Sequence, residues 1–106
     1  MIEVRVETVN GVIHEMLITG HGGAEKGKDL VCAGVSSCLI GALNALDHAE
    51  NYSLEIRSGY AHIKEISPTQ SHDQVVLETL FVQLKTIAES YPDRCRVQIS
   101  RKEGTK

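Results

Sequence analysis

The sequence predicts an α+β fold, a two-layer sandwich in which an antiparallel sheet carries two helices on one face, in the order ββαββαβ. Short segments that alternate apolar and polar residues, or that are rich in β-branched residues, predict the strands, and two longer segments with apolar residues every three or four positions predict the helices. An Asn-Gly pair between the first two strands indicates a tight hairpin. One sheet covered by two helices buries all of these apolar stripes.

The size and composition are those of one small globular domain. The chain has 106 residues, of which 42% are hydrophobic and 24% charged, and its formal net charge is -3. A chain of this length can bury a core without disulfides, so we expect residues 1–106 to form a single domain. No apolar run approaches the roughly 20 residues that span a bilayer, and the first residues lack the pattern of a secretory signal. We therefore expect a cytoplasmic protein without membrane contact. The acidic balance argues against dedicated nucleic-acid binding.

The first two strands are predicted to form an antiparallel hairpin. Ile2, Val4 and Val6 alternate with charged residues, which is the two-residue period of a half-buried strand, and residues 12–19 form a second apolar run rich in β-branched residues. Asn10-Gly11 lies between them. This dipeptide suits a type I′ turn, because both central residues of that turn need a positive φ.

A glycine-rich loop and the first helix follow the hairpin. Residues 20–29 contain four glycines and few apolar side chains, which predicts a mobile loop. From residue 30 to about residue 49, apolar residues recur at helical spacing and predict a helix that packs on the sheet. The stripe consists of Val31, Val35, Leu39, Ala42 and Leu46.

The second half of the chain predicts two strands, a helix and a last strand. The two strands contain Leu54 and Ile56 in one segment and residues 60–66 in the other, with a turn at Ser58-Gly59. Residues 76–91 form a second amphipathic segment that Pro92 stops, because proline cannot continue a helix. Residues 94–100 then predict the last strand.

The junction between loop and first helix carries the strongest chemical signal. If Asp29 caps the helix, Cys32 is the third helical residue, where backbone N–H groups and the helix dipole favour an anion. Thiols at helix starts or beside a protonated histidine ionise near neutral pH. His21 lies eleven positions upstream, and the loop allows it to fold back toward the sulfur. A thiolate that attacks a carbonyl, an imidazole that protonates the leaving amine and helix-start amides that stabilise the oxyanion suffice for acyl transfer.

Other interpretations of the same residues remain. Asp29 either opposes the thiolate or orients the histidine as a third catalytic member, and Cys32 itself also fits a small buried apolar residue. Gly22, Gly27 and Lys28 fit a phosphate-binding loop, but an acidic residue stands where that loop needs a hydroxyl. A metal site is disfavoured because Cys32 and Cys38, six apart on a helix, point in different directions. We therefore expect no metal and no cofactor, and we interpret Cys38 and Cys95 as structural.

A family resemblance rests on these residues. Gly20-His21, Gly27 and residues 29–36 closely resemble the signature of the ribosomal-processing cysteine proteases, the Prp family. Residues 43–46, 58–60 and 89–93 are also similar to the family, so the resemblance covers nearly the whole chain. It implies a ββαββαβ domain, usually a homodimer, that acts as a cysteine endopeptidase. The substrate that it implies is the N-terminal extension of a large-subunit ribosomal protein, removed so that the ribosome can assemble.

The resemblance also implies roles for individual residues. Cys32 corresponds to the nucleophile and His21 to its general base and acid, while Asp29 and Ser36 match further signature positions and are candidate supporting residues. The flexible loop is assigned to its glycines, Gly20, Gly22, Gly23 and Gly27. The loop departs from the family pattern because it is one residue shorter and lacks an aromatic. The alternative function is a non-catalytic, ribosome-associated binding module whose basic C-terminal residues touch RNA.

Overall fold

The chain forms strands and helices in the predicted order. The structure is a computed structural model that describes residues 1–21 and 29–103. The strands are β1 (Ile2–Val9), β2 (Val12–Gly20), β3 (Tyr52–Arg57), β4 (Tyr60–Glu65) and β5 (Cys95–Lys102). The helices are α1 (Leu30–Ala45) and α2 (Ser71–Ser90), and a short 3₁₀ turn, Ala49–Asn51, precedes β3. The α+β class and the order ββαββαβ are confirmed.

The sheet is mixed, which corrects the expectation of an antiparallel sheet. Its strand order is β3-β4-β2-β1-β5, and β5 pairs with β1 in parallel while the other neighbours are antiparallel. The reason is the length of α2. Its 20 residues extend for about 30 Å at 1.5 Å per residue and return the chain along the sheet, so that β5 runs in the direction of β4. Since β4 and β1 are both antiparallel to β2, β5 is parallel to β1.

The hairpin at the start of the chain is confirmed. β1 and β2 pair in antiparallel register from Ile2 opposite Gly20 to Val9 opposite Val12. Asn10 has a φ of 52° and Gly11 a φ of 82°, as the predicted turn requires.

The helices cover one face of the sheet and enclose the core between the two layers. The buried residues come from alternate positions of β1, β2 and β4 and from the inner stripes of both helices. Val31, Val35 and Leu39 of α1 and Leu77, Leu80 and Leu84 of α2 belong to this core. Across the part of the chain that the structure describes, no helix has the length and apolarity needed to cross a membrane.

α1 ends at Ala45, earlier than the predicted limit near residue 49, because a buried carboxylate holds the chain that leaves it. Asp73 of α2 is fully buried, and its Oδ1 and Oδ2 accept hydrogen bonds from the N–H groups of Asp47 at 2.8 Å and His48 at 2.9 Å. Burial acts to raise the pKa of Asp73, but these donors and the adjacent His72 outweigh it, so the pKa lies below its ordinary value. The carboxylate thus ties the end of α1 to the start of α2.

Candidate active site

Asp29 caps α1, as the sequence predicted. Its Oδ1 accepts a hydrogen bond from the Cys32 N–H at 2.8 Å, and its carbonyl oxygen accepts one from the Ala33 N–H at 3.0 Å. Cys32 is therefore the third residue of the helix, at the positive end of the helix dipole. The cap also occupies the Cys32 N–H. The sequence predicts that amides at the helix start stabilise the oxyanion. The Cys32 N–H is not one of them, because it is already hydrogen-bonded to Asp29.

Cys32 opens onto a small cleft. The thiol residue is half-buried, and the cleft beside it has a volume of about 200 Å³. One wall is α1, which contributes Val35, Leu39 and Ile40 in addition to Cys32, and the opposite wall is the β3–β4 hairpin. Ser36, one helical turn after Cys32, also lines the cleft and is exposed. Cys32 is therefore partly exposed at a cleft whose lining is largely apolar.

His21 lines the same cleft, at the end of β2. The residue is exposed, and it follows directly on Gly20, the last residue of the strand. The structure therefore brings the two predicted catalytic residues to one cavity. Within the described residues, no hydrogen bond joins the imidazole to the thiol, which is common before substrate binds.

The assignment of Gly20 to a flexible loop is wrong. Gly20 belongs to β2 opposite Ile2, has a φ of 96°, and donates its N–H to the Gly59 carbonyl at 3.0 Å. A Cβ at this position would lie 2.1 Å from the carbonyl oxygen of Met1, so the sheet leaves no room for a side chain. Glycine is required here because of close packing, and not because the chain must be flexible. Gly22, Gly23 and Gly27, together with the predicted mobility of the loop, lie outside the described residues.

The β3–β4 hairpin supplies site residues that the sequence analysis did not identify. Ile56 and Tyr60 line the cleft, and the guanidinium of Arg57 stacks on the Tyr60 ring, 4.0 Å from its centroid. Ile56 is 42% exposed although it lies on the face of the sheet that carries the helices. The turn signal at Ser58-Gly59 predicted the hairpin, but single-sequence patterns do not show that its tip lies against the end of β2.

The other cysteines lie outside the cleft. Cys95 is buried in the core, and burial raises the pKa of its thiol, in agreement with a structural role. Cys38 is half-buried and faces a different groove, between α1 and α2. Cys32 is thus the cysteine that lines the same cleft as His21.

Potential metal ligands also gather at a distance from the cleft. Asp47, His72 and Asp73 place one ligand atom each within 4.8 Å of one another. Both oxygens of Asp73 already accept backbone hydrogen bonds, and His72 Nδ1 lies 2.8 Å from Asp73 Oδ1. These hydrogen bonds show that the three residues lie together because they connect the end of α1 to the start of α2.

Comparisons with known proteins identify the family of this chain. Residues 1–96 match the family model described as cysteine protease Prp. The chain is similar to the ribosomal processing cysteine protease Prp of Staphylococcus aureus, with 33% identity over 104 residues, which are 92% of this chain and 97% of that protein.

Solved structures give the same result. The fold resembles the crystal structure of an essential ribosomal processing protease Prp from S. aureus in complex with a covalently linked product peptide, with a TM-score of 0.83, 30% identity, and coverage of 94% of this chain and 100% of that one. The S. aureus protease in complex with a substrate peptide gives a TM-score of 0.78 at 29% identity, with the same coverage.

Proposed function

The chain belongs to the cysteine protease Prp family, and we propose that it is a cytoplasmic endopeptidase that removes the N-terminal extension of a large-subunit ribosomal protein. In this proposal Cys32 is the nucleophile and His21 is the general base and acid. The observation that carries it is the shared cleft, which is lined by both a cysteine at the third position of a helix and a histidine at the end of a strand. The family resemblance of the residues around both positions supports the same roles.

The reaction proceeds by acyl transfer. His21 takes the proton from the Cys32 thiol, and the sulfur attacks the scissile carbonyl carbon to form a tetrahedral intermediate. The carbon–nitrogen bond then breaks as His21 gives the proton to the leaving amine, which leaves a thioester on the enzyme. His21 next takes a proton from water, whose oxygen displaces the sulfur and releases the new carboxylate. A protease of S. aureus with a covalently linked product peptide is consistent with such an intermediate.

Asp29 and Ser36 serve this chemistry from the helix. Asp29 fixes the start of α1 through its bond to the Cys32 N–H, and this contact favours the capping role over that of a third catalytic member. Ser36 lies one turn further along the same face, where its hydroxyl can contact bound peptide. The apolar walls of the cleft indicate that the peptide places an apolar side chain beside the scissile bond.

Selective alkylation tests the proposed dyad without needing a substrate. At pH 7 we expect iodoacetamide to alkylate Cys32 faster than it alkylates the model thiol N-acetylcysteine. In the His21→Ala variant, Cys32 should be alkylated several-fold more slowly. Cys38 and Cys95 are internal references in the same molecule, and buried Cys95 should be the slowest. Peptide mapping by mass spectrometry measures the three rates together. Equal labelling of Cys32 in the wild type and in His21→Ala would contradict the dyad and favour the non-catalytic binding module.

We also propose that the protein is a homodimer. Val75 and Val82 of α2 are more than half exposed and lie seven residues apart on one side of the helix, which leaves two large apolar side chains in contact with solvent. Pairing of two copies would remove apolar surface from water. Sedimentation equilibrium at micromolar concentration should give twice the chain mass, and a monomer over the accessible concentration range would contradict this part of the proposal.

A further inference from the structure

Gly59 lies against the imidazole of His21. It occupies the turn between β3 and β4 with a φ of 70°. A Cβ at this glycine would lie 2.8 Å from His21 Nε2, 3.1 Å from Cε1 and 3.6 Å from Cδ2. The edge of the ring that carries Nε2 therefore fills the space that a side chain at position 59 would take.

The same glycine also holds the backbone that leads into His21. Its carbonyl oxygen accepts the hydrogen bond from the Gly20 N–H at 3.0 Å. Next to it, Tyr60 pairs with Thr19 in the β2–β4 ladder and with Arg57 across the hairpin. The turn is thus attached to the end of β2 on one side and to its own hairpin on the other. The turn therefore contacts the ring of His21 and also holds the main chain just before this residue.

We propose that Gly59 is a positioning residue for the general base, an inference that rests on the proposed function. Its missing side chain provides the space in which the imidazole lies, and both residues line the cleft. An added Cβ meets Nε2 closer than unbonded atoms pack, so the ring must rotate or shift. A displacement of about 1 Å at a catalytic group is enough to reduce a rate roughly 10²-fold.

A matched pair of alanine variants separates this effect from backbone strain. Gly11 also has a positive φ, 82°, in a hairpin turn, but an added Cβ there meets no atom within 4 Å. We expect Gly59→Ala and Gly11→Ala to lower the melting temperature by similar amounts, because both force alanine into the left-handed region. With a ribosomal protein precursor as substrate, Gly59→Ala should lower kcat roughly 10²-fold with KM nearly unchanged. Gly11→Ala should keep the wild-type kcat.

A double-mutant cycle with His21→Ala tests whether the glycine acts through the histidine. The readouts are kcat and the alkylation rate of Cys32, which does not require turnover. We expect Gly59→Ala to slow both in the wild-type background and to add nothing in the His21→Ala background. If Gly59→Ala folds poorly, Gly59→Asn replaces it, since asparagine tolerates a positive φ while keeping the Cβ.

The outcomes separate this inference from the proposed function. Wild-type kcat and alkylation in folded Gly59→Ala, or a loss that persists in the His21→Ala background, would overturn the positioning role and leave the dyad intact. Wild-type cleavage by His21→Ala would instead overturn the dyad, and the positioning role with it. If Gly59→Ala lowers kcat and the alkylation rate only when His21 is present, the result supports both the dyad and the positioning role.

Discussion

Replacing Cys32 with serine is expected to reduce cleavage of a ribosomal protein precursor by roughly 10³-fold or more, in line with the loss of a hydrolase nucleophile. A hydroxyl is far harder to ionise than a thiol, so serine at the start of α1 remains protonated and attacks the carbonyl poorly. The side chains differ little in size, so the cleft and the Asp29 cap should persist. The measurement is the rate at which the shortened protein appears, followed by intact-mass spectrometry.

Cys38→Ser is the matched control for this prediction. It makes the same chemical change on the same helix, but its side chain faces the groove between α1 and α2. The control variant should cleave the precursor within about twofold of the wild-type rate, since its side chain lies outside the cleft that Cys32 and His21 line. Equal cleavage by Cys32→Ser and the wild type would remove Cys32 from the mechanism, and absence of cleavage by all three proteins would contradict the proposed substrate.

The largest effect on stability is expected at Asp73. Asp73→Ala removes an acceptor of two backbone hydrogen bonds and leaves the N–H groups of Asp47 and His48 without this partner. We expect a loss of about 2–4 kcal/mol in the free energy of unfolding, since hydrogen bonds to charged groups contribute about 1.5–3 kcal/mol each and the exposed chain around them recovers a part. Urea denaturation followed by circular dichroism measures the change.

Asp47→Asn provides the control at the same place in the fold. Its carboxylate belongs to the same cluster but is exposed and pairs with His72 at 3.2 Å. Loss of this contact should change the free energy of unfolding by less than about 0.5 kcal/mol. Similar losses in Asp73→Ala and Asp47→Asn would show that surface charge, and not the buried carboxylate of Asp73, stabilises the junction between the helices.

The stability difference between the wild type and Asp73→Ala should depend on pH in both directions. The pKa of Asp73 is lowered in the folded state, so its contribution is complete above the unfolded value of about 3.9 and is lost as pH falls through the folded value. The hydrogen bond to Asp73 raises the pKa of His72, so that contribution is complete below about 6.5 and is lost as pH rises through the folded value. The difference should therefore be widest near pH 5. A difference that stays constant from pH 3 to pH 8 would contradict this account.

Local signals in the sequence were sufficient for the hairpin and the site helix. Asn10-Gly11 predicts its own turn because the dipeptide determines the backbone conformation without help from the rest of the fold. The cap at Asp29 and the third-position cysteine follow from residues three apart in the chain, and the structure shows the bond between them. A single sequence is sufficient to predict a feature when the residues that interact are close together in the chain.

Features that depend on distant partners were not predictable in this way. The parallel direction of β5 follows from the path of α2 across the sheet, and the early end of α1 follows from a carboxylate 26 residues beyond Asp47. Gly20 was assigned to a mobile loop because glycine occurs both in flexible loops and where the backbone is closely packed. The sequence does not show that Met1 lies against Gly20. The contact between Gly59 and His21 was missed for the same reason, since it joins the ends of two hairpins.

The parallel pairing of β1 with β5 has a consequence for biosynthesis. β1 leaves a translating ribosome long before β5, because the neighbour that covers one of its edges extends from Cys95 to Lys102. Until that neighbour emerges, a nascent chain carries a hydrophobic strand with open main-chain donors and acceptors, the kind of edge that recruits chaperones or other copies. Folding of this domain thus requires β5, and a fragment released before Cys95 should aggregate instead of forming a smaller protease.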